Sequence, residues 1–214
     1  MHKTLIITGG SVDVDAAFSY EEFSEIIAVD GGIEAAYRMG IVPTHMIGDF
    51  DTVDLSLVAK LKEQKVQCIT LNPHKDQTDT QEAVDWALKL GSEEIWIIGA
   101  IGTRMDHTLA NIGLLEGIRR AGCKGYILNS HNKMYLVHDR QVLNRETLYG
   151  PYVSLIPFTQ HVTGVTLKGF AYPLEKQNFE TGVCPGWGVS NELVDDTAVI
   201  TVENGVMLVM ETRD

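Results

Sequence analysis

Closely spaced cysteine pairs are missing from this chain, and their absence excludes two classes of protein. Its three cysteines, Cys68, Cys123 and Cys184, are odd in number and far apart, which suits neither a disulfide framework nor a Cys-x-x-Cys zinc or redox centre. They read as buried thiols. None of the seven histidines falls in His-Glu-x-x-His or His-x-His spacing, so a zinc enzyme is disfavoured. Long apolar runs are lacking too: "IWIIGAIG" comes nearest, and its glycines and Arg104 end it well short of the roughly 20 residues a bilayer requires. A secretory leader is not expected either, because "LII" near the start meets Gly9, Gly10, Asp13 and Asp15 at once. The expected location is the cytoplasm. Positive charge is scarce, with 17 Lys plus Arg against 29 Asp plus Glu and a net charge of -12. Such a field repels nucleic acid and anionic membranes but tolerates cations, including magnesium-neutralised nucleotides; acidity also serves solubility alone.

What is present is a length of 214 residues, 44% apolar and 21% charged, enough to bury a real core in one large domain or two small ones. The short apolar runs "KTLIIT", "EIIAVD", "THMIGD", "VQCITL", "EIWIIG" and "KGYIL" alternate with helix-period stretches such as "LSLVAKLKEQ" and "DTQEAVDWALKL". That alternation predicts an α/β domain over residues 1–132, a Rossmann-like parallel sheet with helices on both faces. Ligands of such sheets gather at the carboxyl ends of the strands, and Gly9, Asp30, Asp49 and Gly99 fall at or just after such ends. Residues 133–214 change character. "PYVSLIPF", "VTGVTL", "TAVITVE" and "VMLVMET" read as strands of a small antiparallel β-sandwich or barrel, with Asn204-Gly205 expected to turn a two-residue hairpin between the last two. So small a β domain would lean on the first domain or on a second subunit.

Three clusters and one strand exit carry candidate chemistry. "MIGDFDTVD" sets Asp49 and Asp51 one residue apart beyond an apolar strand. If residues 49–51 stay extended, both carboxylates point the same way and offer the hard oxygens that magnesium combines with waters and phosphates. The competing reading has Asp51 or Thr52 merely capping the helix "VDLSLVAKL". In "KDQTDTQEAVDWAL", Thr78 and Gln81 stand at capping-box spacing, with Val84, Ala87 and Leu88 as the buried stripe. Asp79 then lies in the first helical turn, where the dipole favours its charge; solvated capping is the competing role for Asp76 and Asp79. "GAIGTRMDHTLANIGLL" places a glycine loop, Gly99 to Gly102, and the forked donor Arg104 before a helix, an arrangement suited to phosphate. It lacks the Lys-Ser/Thr ending of a P-loop and the spacing of a dinucleotide fingerprint. Asp106 is a further candidate metal carboxylate, and His107 a structural or ligand-contacting imidazole, since no nucleophile accompanies it. Asp30 in "AVDGG" is followed by Gly31 and Gly32, which permit close ligand approach or an ordinary turn. Acidic groups recurring at predicted strand exits argue for one shared site.

Taken together, "VDGG", "GDFDT", "DQTDTQEA" and "GAIGTRMDHTLANI", in that order, resemble the thiamine pyrophosphokinase family, and "LIPF", "GVTLKGFAYPL" and "GVSNE" resemble its thiamine-binding β domain. The resemblance spans nearly the whole chain, with Thr52 standing where the family has serine. It implies transfer of a pyrophosphoryl group from ATP to thiamine, giving thiamine diphosphate and AMP, with magnesium required. It implies that Asp49, Asp51 and Asp79 handle metal and phosphates, with Asp30 and Asp106 supporting the metal. Gly9, Gly10, Asp30, Gly31, Gly99, Gly102, Arg104, Asp106 and His107 would surround the nucleotide. Asp76, Gln81, Trp187, Ser190 and Asn191 would face the substrate, Trp187 either stacking on a thiamine ring or plugging the small core. Lys75 either faces phosphate or is solvated. The family pattern further implies a homodimer with thiamine between the sheet domain of one subunit and the β domain of the other.

The chemistry agrees, since an alcohol attacking phosphorus needs alignment and charge neutralisation more than covalent help. Two rivals remain at this level: a pyrophosphokinase for another heteroaromatic alcohol such as a hydroxymethyl pterin, and a non-catalytic magnesium-nucleotide sensor.

Overall fold

The computed structural model describes residues 1–14, 18–51, 53–71, 76–183 and 188–214. It divides into two compact units, Met1–Ser130 and His131–Asp214. In the first, β1 (Lys3–Ile7), β2 (Glu25–Val29), α1 (Gly31–Arg38), β3 (His45–Gly48), α2 (Leu55–Glu63), β4 (Gln67–Thr70), α3 (Asp79–Lys89), β5 (Glu94–Ile98), α4 (Met105–Arg120) and β6 (Lys124–Leu128) follow one another. The strands lie in the order β4-β3-β2-β1-β5-β6, and every pairing among them is parallel. Parallel strands are covered on both faces, so their sequences are apolar throughout rather than alternating. Leu5, Ile6 and Ile7 on β1 and Ile97 and Ile98 on β5 are fully buried accordingly. Among the described residues no helix is long and apolar enough to cross a membrane.

The winding of the chain decides where a ligand can sit. It moves outward from β1 through β2 and β3 to β4, then returns across β1 to β5 and β6. Because β-α-β crossovers are right-handed, this reversal assigns α1 and α2 to one face and α3 and α4 to the other. It also opens a switch point between β1 and β5, the place where open α/β sheets bind ligands. The β1–β2 connection forms no α-helix among its described residues. There Phe18, Tyr20 and Phe23 form an aromatic cluster with Trp96, which stacks on its register partner Tyr126 at 4.4 Å between ring centres.

Capping explains where the helices begin. Asp54 caps α2, its carboxylate accepting the Ser56 N–H at 2.8 Å, so the cap is Asp54 rather than Asp51; Thr52 lies outside the described residues. Thr78 caps α3 as its spacing predicts, accepting the Gln81 N–H at 3.2 Å. Of the stripe foreseen behind it, Val84 and Ala87 are buried and Leu88 is half-buried. Late in α4, Glu116 receives Arg119 at 2.7 Å and Arg120 at 2.7 Å.

The second unit holds two antiparallel sheets. β7 (Asn132–Val137), β8 (Arg140–Asn144), β9 (Tyr152–Pro157), β10 (His161–Lys168), β11 (Leu174–Glu180), β12 (Thr197–Thr201) and β13 (Met207–Thr212) make up its strands. β13 pairs with both β7 and β9, while β11-β10-β12-β8 forms the other sheet. Val153, Leu155, Val162, Val165, Ala198 and Ile200 are among the buried side chains. Buried Glu211 is satisfied by the Tyr135 hydroxyl at 2.9 Å and the Tyr149 N–H at 2.7 Å. The expected Asn204-Gly205 hairpin is absent: β12 and β13 belong to different sheets, and this dipeptide carries the chain from one to the other. Gly205 takes a positive φ of 91°, while Asn204 bridges to Thr163 on β10. A two-residue signal reports a turn but not which strands the turn will pair.

The Glu116 pair gives a measurable pH dependence. The Arg119 hydrogen bond, seconded by Arg120, lowers the Glu116 carboxyl from its ordinary 4.5 to about 2. A carboxyl depressed in the folded state stabilises the fold above the unfolded value and loses that contribution as pH falls through the folded one. Glu116→Gln should therefore cost about 1 kcal/mol at neutral pH. In urea denaturation, its deficit against the parent should shrink steadily as pH drops below 4.5 toward 2.

Candidate active site

At the switch point the exits of β1 and β5 come into backbone contact. The Gly10 N–H donates to Gly99 O at 3.0 Å and the Ser11 N–H to Ile101 O at 3.0 Å. A Cβ on Gly10 would lie 2.1 Å from Gly99 O, and Gly99 itself has φ 72°. Only glycine meets both demands, one for space and one for a left-handed backbone. Above this contact lies a cavity of about 330 Å³ whose lining includes Gly9, Gly10, Asp30, Asp79, Gly99, Gly102, Arg104 and His107. Gly31 lies just behind it, where an added Cβ would come 3.3 Å from the Gly9 Cα.

The polarity of the cavity follows from the elements that open onto it. Asp30 and Arg104 occupy the N-cap positions of α1 and α4 and make no side-chain capping bond, whereas α2 and α3 are capped. Helix N-termini bear partial positive charge and suit anions. Arg104 adds a full charge at the rim. Its guanidinium grips Asp106 with Nε–Oδ1 3.3 Å and Nη2–Oδ2 2.6 Å. This bond raises the Arg104 pKa and, together with the His107 backbone N–H, lowers that of Asp106. Asp106 is thus placed first as the partner of Arg104.

The remaining aspartates do not converge at one point: Asp30 and Asp79 line the cavity, whereas Asp49 and Asp51 do not. Asp30 has φ 46° and ψ -119°, an uncommon conformation for a non-glycine residue that local packing must maintain. Its carboxylate lies over the exit of β3, where a Cβ on Gly48 would fall 2.0 Å from Asp30 Oδ1. Beyond Gly48 the backbone is not extended as the sequence reading required. Phe50 is buried and has φ 60°, and the Asp49 carboxylate accepts the Asp51 N–H at 3.2 Å. Asp49 and Asp51 are therefore related by a turn that tucks the intervening aromatic inward, and strand alternation does not apply to them. Neither belongs to the cavity lining.

Among the described residues no three His, Cys, Asp or Glu side chains form a metal cage. Magnesium rarely uses such a cage. It keeps several waters and takes one or two carboxylates together with phosphate oxygens, and Asp30 and Asp79 at the cavity, with Asp49 and Asp51 beyond Gly48, are hard donors of that kind.

Toward the substrate-facing residues the structure is uneven. Asp76 is exposed and Gln81 half-buried, and neither lines the cavity. Ser190 is exposed with φ 57°, its N–H held by Ser154 Oγ at 3.0 Å. Asn191 is buried at 1% exposure. Its side chain accepts the Tyr172 N–H at 3.0 Å and returns a bond to Tyr172 O at 2.9 Å, while its backbone pairs with Val153. Asn191 builds this loop and Ser190 is what the loop presents. Trp187 and Lys75 lie outside the described residues.

Sequence reasoning overlooked Thr8, Thr80 and Asn111, which line the cavity, and Thr108 beside them. A signal existed for two of these: Thr108 and Asn111 share a helix face with Leu115 and Ile118, and all four are buried. Polar residues at core-facing positions signal a specific hydrogen-bonding role.

Comparison with known proteins identifies the family. Residues 19–127 match the thiamin pyrophosphokinase catalytic domain, and residues 140–207 the vitamin B1 binding domain of the same family. The thiamine pyrophosphokinase of Bacillus subtilis is 29% identical over 217 residues, spanning 99% of this chain and 100% of that protein. The crystal structure of thiamine pyrophosphokinase from Bacillus subtilis aligns with a TM-score of 0.89 at 27% identity, covering 99% of each chain. That of thiamin pyrophosphokinase from Geobacillus thermodenitrificans gives 0.86 at 27%, covering 99% of this chain and 98% of the other. With both family domains matched in order and full-length similarity throughout, the chain belongs to the thiamin pyrophosphokinase family.

Proposed function

We propose that this enzyme transfers the terminal pyrophosphoryl group of ATP to the hydroxyl of thiamine, with the first unit holding magnesium and nucleotide and the second contributing to the thiamine site. The observation that carries the nucleotide assignment is the cavity at the β1/β5 switch point, where a glycine-lined floor, the start of α4 and the Arg104 guanidinium meet. The thiamine hydroxyl oxygen bonds to the β-phosphorus, the bond from that phosphorus to the oxygen bridging the α-phosphate breaks, and AMP departs with that oxygen. The hydroxyl proton passes to water. No covalent enzyme intermediate is needed, so the protein's task is alignment and charge neutralisation.

Each part of the site has a role in that task. Asp49, Asp51 and Asp79, with Asp30 over the β3 exit, are the residues that would hold magnesium, which when bound neutralises phosphate charge. Arg104 grips a phosphate oxygen, exchanging its contact with Asp106 for one to the nucleotide. The glycine backbone of Gly9, Gly10 and Gly102 lets phosphates approach closely. In the second unit, Ser190 is held at positive φ on a loop pinned by Asn191, as a preorganised contact to substrate requires.

The functional assembly is a homodimer with thiamine held between the first unit of one subunit and the second unit of the other. Exposed apolar side chains support this reading: Met105 and Leu109 on α4, and Tyr172, Val189 and Val194 around the Ser190 loop, are each at least 49% exposed in the single chain. Clusters of that kind mark association surfaces.

Purified protein supplied with thiamine, ATP and magnesium should release thiamine diphosphate and AMP in equal amounts; ADP as the nucleotide product, or no product, would refute the assignment. Asp79→Asn should fold normally and lose about 100-fold or more in turnover, the scale for removing one group that stabilises transferring charge. Arg104→Ala should raise the KM for ATP well beyond that for thiamine, and a change confined to thiamine would mean the loop serves the other substrate. Mixing inactive Asp79→Asn with a Ser190 variant that abolishes thiamine use should restore activity through heterodimers that keep one intact site. A parent protein that sediments as a fully active monomer would exclude the shared site.

A further inference from the structure

We infer that Thr108 and Asn111 on α4 are positioning residues that set the backbone of the Gly99–Arg104 loop for ATP. The inference deepens the nucleotide assignment above and rests on it. The two side chains occupy the first two inward positions of α4, where an amphipathic helix would place leucine, and the same face continues as Leu115 and Ile118. Thr108 is 5% exposed and Asn111 7%. Burying polar side chains in this way is unfavourable unless their hydrogen bonds are made, and here every bond recorded for them goes to the loop. Asn111 Nδ2 donates to Ala100 O at 2.9 Å. The Thr108 hydroxyl accepts the Gly102 N–H at 3.3 Å and donates to Arg104 O at 3.3 Å.

The opposite side of the loop is held by the segment that follows β1. The Thr8 hydroxyl donates to Gly99 O at 3.2 Å, which also receives the Gly10 N–H at 3.0 Å, while Ile101 O takes the Ser11 N–H at 3.0 Å. The carbonyls of Gly99, Ala100, Ile101 and Arg104 are thereby each engaged by a protein donor. An engaged carbonyl is oriented toward its donor, so these partial negative charges are directed into the protein rather than at a polyphosphate. Without the α4 side-chain bonds, Ala100 O would be free to rotate toward the cavity and the Gly102 N–H would lose its anchor on Thr108, while Arg104 O would keep the Thr108 backbone N–H at 3.1 Å. A glycine-bearing loop gains the rigidity that a phosphate site needs only when neighbouring elements supply it.

The test compares Thr108→Val, which keeps the shape and removes the hydroxyl, with Thr108→Ser, which keeps the hydroxyl, and with Asn111→Leu. Steady-state constants for both substrates, melting temperature and the Kd for magnesium-ATP by calorimetry in the absence of thiamine are measured for each. Thr108→Val and Asn111→Leu should each raise the KM and Kd for ATP about tenfold, the scale of one lost charge-directing hydrogen bond. The KM for thiamine should hold within about twofold, and Thr108→Ser should bind ATP as the parent does. A lowered melting temperature with ATP binding intact would reduce both residues to packing and overturn the inference, as would failure of the serine variant to retain affinity. If Thr108→Val does not fold, Thr108→Ala and Asn111→Ser carry the same comparison. A parent that binds ATP but never turns over thiamine would sink the proposed reaction and leave the loop inference to be judged by Kd alone; a parent that binds no ATP would sink both.

Discussion

The contact between the Gly9-Gly10 backbone after β1 and the Gly99 carbonyl after β5 is the constraint on which the first unit depends. At a switch point the connections of two neighbouring parallel strands leave in opposite directions, and the crevice left between them is usable only if the two exits stay close without filling it. A hydrogen bond of 3.0 Å from the Gly10 N–H to Gly99 O closes the floor, and a side chain at Gly10 would collide with that same oxygen. α1 is held close by the same device, since a Cβ on Gly32 would lie 2.0 Å from Ile7 O. Glycine therefore serves packing and site together, because the approach that brings elements into register also leaves backbone, rather than side chains, facing the ligand.

Charge is then distributed over that floor by helix geometry. α1 and α4 open onto the cavity without side-chain caps, and α4 carries Arg104 at its N-cap. The Arg104–Asp106 pair keeps a guanidinium organised at the rim. Both groups are largely exposed, so the pair adds little stability, and exchanging one anion for another need not cost much. The starts of α1 and α4 and the Arg104 guanidinium thus meet the Asp30 and Asp79 carboxylates around one cavity.

The second unit solves a different problem. Its loop at residues 188–194 presents Ser190 in a conformation that few non-glycine residues adopt, and Asn191 maintains it by mimicking backbone, accepting from and donating to Tyr172 at once. In the sequence, Ser190 and Asn191 resembled two equivalent polar contacts. Their roles separate because one side chain is directed inward and the other is not, which is a property of the fold around them.

How much could be read without the fold depends on the range of the interaction. Alternating apolar and helix-period segments announced a parallel sheet; Thr78 announced its helix; the joint order of "GDFDT", "DQTDTQEA" and "GAIGTRMDHTLANI" announced the family. These are local signals, carried by residues within a turn or a strand of one another. Long-range facts were not legible: that β1 lies between β2 and β5, that β12 and β13 join different sheets across Asn204-Gly205, and that a buried Phe50 turns the chain between Asp49 and Asp51. Nor was the preceding loop legible as the hydrogen-bonding partner of the inward-facing Thr108 and Asn111. Periodicity tells which face of an element is buried, but strand order, the partner of each buried polar group and the direction of each carboxylate are settled only when distant segments pack, because only then is each hydrogen-bonding group obliged to find a protein partner in place of water.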